Sequence, residues 1–220
     1  MSVQEKQILI EFKHIFLTFK KKKILDDFNL KIYSQDRVVI IGQSGIGKST
    51  LFNILLGLQE IQSGEIFFKS KKVTAKNIYN LRRQIAYVDQ DLAIGNGLVK
   101  KIIADYFSFA VNRSIKIDES ELNRLLLEFS LELDILDQDI DQLSGGEKQR
   151  LGLVIALLLK RPILLLDEIS SALDPRLAEK LMTKVLNQTD KTVILIAHDQ
   201  KWQKQKNILI FDFKDKQWKQ

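Results

Sequence analysis

The chain has 220 residues, 45% of them hydrophobic and 28% charged, the composition of an ordinary globular protein, long enough for one folded domain with a sizeable core. It has no cysteine, so disulfides and thiolate metal centres are excluded; its longest apolar runs, 151–159 and 163–166, fall well short of the roughly 20 residues that cross a bilayer. A net charge of +6 is compatible with nucleic acid, anionic lipid or an anionic ligand, but the lysines behind it are spread along the chain and single out none of these. The opening MSVQEKQ lacks the apolar stretch of an export signal, so the expected location is the cytoplasm.

In chain order, short strands are expected over 8–12, 16–19 and 29–32, with lysines 20–23 as a solvated hairpin tip. Residues 38–41 are a short run of β-formers ending in glycine, the pattern of a buried parallel strand. Helical spacing follows over 49–58, and further strands over 66–68 and 85–88. From about 98 to 159 the pattern is mostly helical, with Leu122, Leu125, Leu126 and Phe129 on one amphipathic face. Strand–helix alternation then returns: a strand at 163–166, a helix from Pro175, and strands at 192–196 and 208–211. With two prolines and no Gly/Ser-rich linker, this reads as α/β with a parallel sheet interrupted by a helical insertion.

Three motifs carry chemistry. The segment Gly42-Gln43-Ser44-Gly45-Ile46-Gly47-Lys48-Ser49-Thr50 follows a strand, opens a helix and matches G-x-x-x-x-G-K-[ST]. Its glycines let backbone N–H groups turn inward around phosphate oxygens, at a helix end whose dipole favours anions. Lys48 is placed to reach the β- and γ-phosphates of ATP, and the Ser49 hydroxyl to bind Mg²⁺. The apolar strand before Asp167 and Glu168 delivers two carboxylates to the sheet edge beside that loop. Asp167 is expected to hold Mg²⁺ through water, and Glu168 to polarise the attacking water. Third, in Leu143-Ser144-Gly145-Gly146-Glu147-Lys148-Gln149-Arg150, the Ser144/Glu147 pair is a capping box predicting a helix through residue 159, and the two glycines leave the backbone open to an anion.

That last segment, LSGGEKQR, resembles the signature of ATP-binding cassettes of the ABC family, and the resemblance extends over nearly the whole chain. It implies a P-loop NTPase core of RecA type with an N-terminal antiparallel β subdomain and an inserted α-helical subdomain. The core would occupy about 1–92 and 160–220, and the helical subdomain about 93–159. It implies ATP and Mg²⁺ as ligands, and a head-to-tail homodimer in which Ser144, Gly145, Gly146 and Glu147 contact the γ-phosphate held by the opposite subunit. Phe19 stands where the family usually has a tyrosine stacking on adenine, with Phe16 as its rival. Gln90, in AYVDQD, resembles the lid glutamine that senses Mg²⁺ and couples to the membrane subunit. Ser171, Ala172, Leu173 and Asp174 resemble the loop crossing the dimer interface, and His198 resembles the histidine that reads the γ-phosphate. The implied catalytic set is Lys48, Gln90, Glu168 and His198; the implied metal set is Ser49, Gln90 and Asp167.

Ile169 stands where many cassettes have proline, and the form DEISSALDP resembles a small ABC group associated with iron or metal-stress export, whose cassettes pair with a separate integral membrane protein. The resemblance thus implies an ATP-hydrolysing subunit that powers transport through a separate membrane permease, peripheral on the inner face of the membrane, with no nucleic-acid partner. The alternative is a non-transport cassette coupled to a membrane protein in signalling or cell division. The stretch after Gln90, including Ala93, Ile94, Leu98 and Ile102, is the expected groove for the permease, with core packing an equal alternative for each of the four.

Overall fold

A computed structural model describes residues 6–92, 94–169, 173–197 and 207–219. It opens with a long hairpin, β1 (Ile8–Phe19) against β2 (Lys22–Tyr33). The expected pair of strands at 8–12 and 16–19 is therefore one strand. The alternation that suggested a break is a β-bulge: Phe12 pairs with Leu30 and Ile15 with Phe28, so one extra residue lies on β1 and both Phe12 and Ile15 are buried. His14, inside the bulge, takes a left-handed φ of 52°. Lys20 and Lys21, at φ 44° and 69°, form the two-residue turn whose twist suits a hairpin.

The chain continues through β3 (Arg37–Ile41), α1 (Lys48–Leu55), β4 (Ser63–Phe68), β5 (Lys71–Lys72), α2 (Ile78–Arg82) and β6 (Ile85–Val88). The insertion holds α3 (Val99–Ser108), α4 (Glu119–Glu128) and α5 (Gly145–Leu158), with short 3₁₀ turns between α4 and α5. Then come β7 (Ile163–Asp167), α6 (Pro175–Leu186), β8 (Thr192–Ala197), β9 (Leu209–Asp212) and β10 (Gln217–Lys219).

Two sheets result. The antiparallel sheet has the order β2-β1-β4-β5; the larger has the order β10-β9-β3-β8-β7-β6 and is parallel except for β10. The central strands are apolar throughout because both of their faces are covered. Their period-2 side chains divide between two cores. Val39, Ile41, Leu164, Leu166, Val193 and Leu195 pack with the inserted helices and α6. Val38, Ile40, Ile163, Leu165, Ile194 and Ile196 pack with α1 and the antiparallel sheet. The helical insertion and the β subdomain thus lie on opposite faces of one sheet. Because β8 runs between β3 and β7, the loop after β3 and the carboxylates ending β7 sit two strands apart on the same edge.

Candidate nucleotide site

The glycine-rich loop leaves β3 and enters α1 through Gly47, at φ 114°. A Cβ there would lie 2.5 Å from the Ile24 side chain, so backbone conformation and space both require glycine. Lys48, the first residue of α1, is only 3% exposed. Its ammonium donates to the carbonyls of Gly42 (2.9 Å) and Gln43 (3.0 Å) and lies 3.2 Å from Glu168 Oε1. The neighbouring Ser49 hydroxyl donates to Asp167 Oδ1 at 3.0 Å.

Two successive residues of an extended strand point to opposite faces, yet Asp167 and Glu168 both meet the first turn of α1. Glu168 achieves this by leaving the strand at φ 47°, a left-handed conformation that is costly for a residue with a Cβ. Its backbone N–H is held by the Ile196 carbonyl of β8 at 3.1 Å.

Asp167 is buried, and burial pushes its carboxyl above the usual aspartate range. The Ser49 hydrogen bond opposes this shift, while the nearby charges of Glu168 and Asp89 reinforce it. The Tyr87 hydroxyl lies 3.2 Å from Asp89 Oδ1 and 3.4 Å from Asp167 Oδ2, so its one proton serves two carboxylates. Burial, with those charges, raises the phenol far above its ordinary value. Sequence reasoning missed Tyr87 and Asp89. Both lie in the AYVDQD segment that supplied Gln90, and the parallel pairing of Tyr87 with Leu165 of β7 brings the tyrosine to Asp167.

The other expected residues take these positions. Gln43, Ser44 and Gly45 are exposed on the loop; Ile46 and Thr50 are partly covered. Lys22 at the hairpin tip reaches the Gly45 carbonyl at 3.5 Å, bringing the tip of β1 to the phosphate loop. Phe19 there is 61% exposed and Phe16 36%, so both present a face to solvent. Gln90 is exposed just after β6. Ser144 caps α5: its hydroxyl accepts from Glu147 N–H at 3.3 Å, and Glu147 Oε2 accepts from Ser144 N–H at 2.9 Å. Ser144 and Gly145 are exposed, Gly146 and Glu147 partly so. No hydrogen bond or ion pair among the described residues joins this cap to the phosphate loop. Leu173 is buried, and Asp174 caps α6 by accepting from the N–H groups of Arg176 and Leu177. Ser171, Ala172, His198 and Ala93 lie outside the described residues. Of the remaining groove candidates, Ile94 and Ile102 belong to the core and only Leu98, at 41%, is exposed.

A phosphate loop at a helix N-terminus, facing carboxylates from the end of a nearby parallel strand, defines a P-loop nucleotide-binding protein. The sequence model of the ABC transporter family matches residues 25–171, and the chain belongs to that family. A Rickettsia felis protein named for ATP-binding and permease parts is 36% identical over 199 residues, covering 87% of this chain and 34% of that protein. The chain thus spans about a third of that relative's length. The energy-coupling factor transporter ATP-binding protein EcfA1 of Staphylococcus aureus is 31% identical over 206 residues, 90% of this chain and 75% of that one. Among solved structures, the ATP-binding cassette MJ0796, a dimer in a post-hydrolysis state with ADP and Pi, superposes with a TM-score of 0.71 at 28% identity, covering 87% of this chain and 88% of that chain.

Proposed function

We propose that this chain hydrolyses ATP to drive transport through a separate membrane-spanning permease, docked on the inner, cytoplasmic face of the membrane. The observation that carries the reading is the double contact of α1 with the end of β7: Lys48 with Glu168 and Ser49 with Asp167. Among the described residues no helix is long and apolar enough to cross a membrane.

The donors at this site fit Mg²⁺, a hard cation that takes oxygen ligands and shares them with phosphate and water. Ser49 and Asp167 would hold it, with Gln90 as a further oxygen donor, and when bound it would supply positive charge against the phosphates. Lys48 exchanges its bonds to the Gly42 and Gln43 carbonyls for the β- and γ-phosphates. That exchange draws Lys48 away from Glu168, leaving the carboxylate to orient the attacking water. Loop N–H groups from Gly45 through Thr50 cradle the phosphates, and Phe19 stacks on the base. Ser144, Gly145, Gly146 and Glu147 close the site from a second copy arranged head to tail, with 171–174 at the seam and His198 reading the γ-phosphate. Metal export is the cargo class that DEISSALDP favours. The test is Mg²⁺-dependent ATP turnover by the chain and its stimulation by the membrane protein that co-purifies with it. Turnover without any membrane partner in the native complex would contradict the transport reading.

A further inference from the structure

At the other end of the strands that carry the site, a cavity of about 450 Å³ opens on the surface. Lys69, Lys71, Arg83 and Arg161 line it, and no carboxylate does. Each cation arrives by a separate constraint. Lys69 and Lys71 flank the tight turn from β4 to β5, where Lys69 and Ser70 sit at φ 49° and 62°. Arg83 is the C-cap of α2, two residues ahead of β6. Arg161 stands two residues before β7, and its guanidinium donates to the carbonyl of Val111 (3.2 Å) and to the side chain of Asn112.

None of the four has an ion pair among the described residues. Of the lysines of β4, β5 and their turn, Lys72 takes Glu65 at 2.6 Å and does not line the cavity. Burial holds the Arg161 guanidinium below its usual range, and the like charge of Arg83 adds to the effect. Gathering like charges without a counter-charge is unfavourable, and an anion in their midst removes that cost. Phe68 and Val73, both partly covered, also line the cavity. The volume is that of a small-molecule site. Six residues of extended chain separate Arg161 from Asp167, roughly 20 Å, so this cavity is not part of the nucleotide site.

We propose that this cavity is a second anion site, which binds a small soluble phosphorylated molecule: its phosphoryl group between Arg83 and Arg161, its apolar part on Phe68 and Val73. A lipid headgroup offers the same phosphate chemistry; a cavity with the volume of a small-molecule site favours the free molecule. The test is calorimetric titration of pyrophosphate into the full chain with its nucleotide site saturated by ADP and Mg²⁺. Wild type should show an added binding event. The double variant Lys71→Glu, Arg83→Glu should weaken it by about tenfold or more while keeping its ADP affinity. Arg83→Gln, milder and without a charge reversal, should weaken it too, which keeps the test valid if the double variant fails to fold. Absence of the added event at millimolar pyrophosphate, equal affinity in wild type and Arg83→Gln, or binding confined to phosphatidylglycerol vesicles would each overturn the proposal.

Discussion

The Glu168 carboxylate lies 3.2 Å from the Lys48 ammonium, with both side chains almost wholly enclosed. A buried pair of this kind contributes little net stability, but leaving either partner alone is costly. It therefore holds both groups in place until a competing anion arrives. On the proposed reading the γ-phosphate is such a competitor for Lys48, and its arrival would couple nucleotide binding to release of the carboxylate proposed to orient water.

Glu168→Gln is accordingly expected to keep ATP binding and to lose at least about 10²-fold in turnover. Steady-state ATPase rates beside equilibrium nucleotide binding check this. Retained turnover would move the water-activating group elsewhere.

Asp167 carries the opposite signature in stability. Its folded-state pKa is raised, so ionising it at neutral pH disfavours the folded chain. Removing the charge by Asp167→Asn should raise Tm in the absence of nucleotide, by about 2–4 °C for each kcal/mol relieved in a chain of this size. The gain should be complete above the raised pKa and vanish as pH falls below about 3.9, where the carboxyl is protonated in both states. Thermal melts across pH 3 to 8 (about the span of the titration) test this, and the same variant should lose Mg²⁺-dependent turnover.

Much of this site was legible because its motif residues are consecutive or nearly so. Lys48, Ser49, Asp167 and Glu168 fall in two short segments whose strand and helix contexts are plain in the sequence, and the fold brings them into contact. Tyr87 and Asp89 were not legible, since their approach to Asp167 depends on the register of β6 against β7. In the fold, the strands buried on both faces stand out as unbroken apolar runs. By contrast β5, two lysines, has no apolar pattern and exists through its pairing with Phe67 and Phe68. The helix read as 49–58 ends earlier, at Leu55, because Gly57 turns the chain at φ 66° and closes it onto the Ile54 carbonyl.

At the adenine end, Phe19→Ala should weaken ATP binding by about 1–2 kcal/mol and leave the melting curve unchanged. Phe16→Ala is the control, being the less exposed of the two rings. A loss confined to Phe16→Ala would assign the stacking face to that residue instead.

Coupling to the permease is expected to pass through the surface around Gln90 and Leu98. Cysteine cross-linking from Leu98, in a chain with no other cysteine, should capture the membrane protein, whereas Ile102→Cys, buried in the core, should not. Capture only from the last strands would place the contact on another face.

The cap of α5 makes the most direct test of the whole scheme, because Ser144 and Gly145 are exposed and make no bond to the phosphate loop of their own chain. Two inactive variants, Glu168→Gln and Ser144→Arg, are mixed and their ATPase rate is measured with the fraction of mixed dimers. In a head-to-tail pair one site carries both defects and the other neither. Random pairing then restores up to about a quarter of the wild-type rate. No recovery with mixed dimers demonstrably present would contradict the composite site, since catalysis would then be complete within one chain.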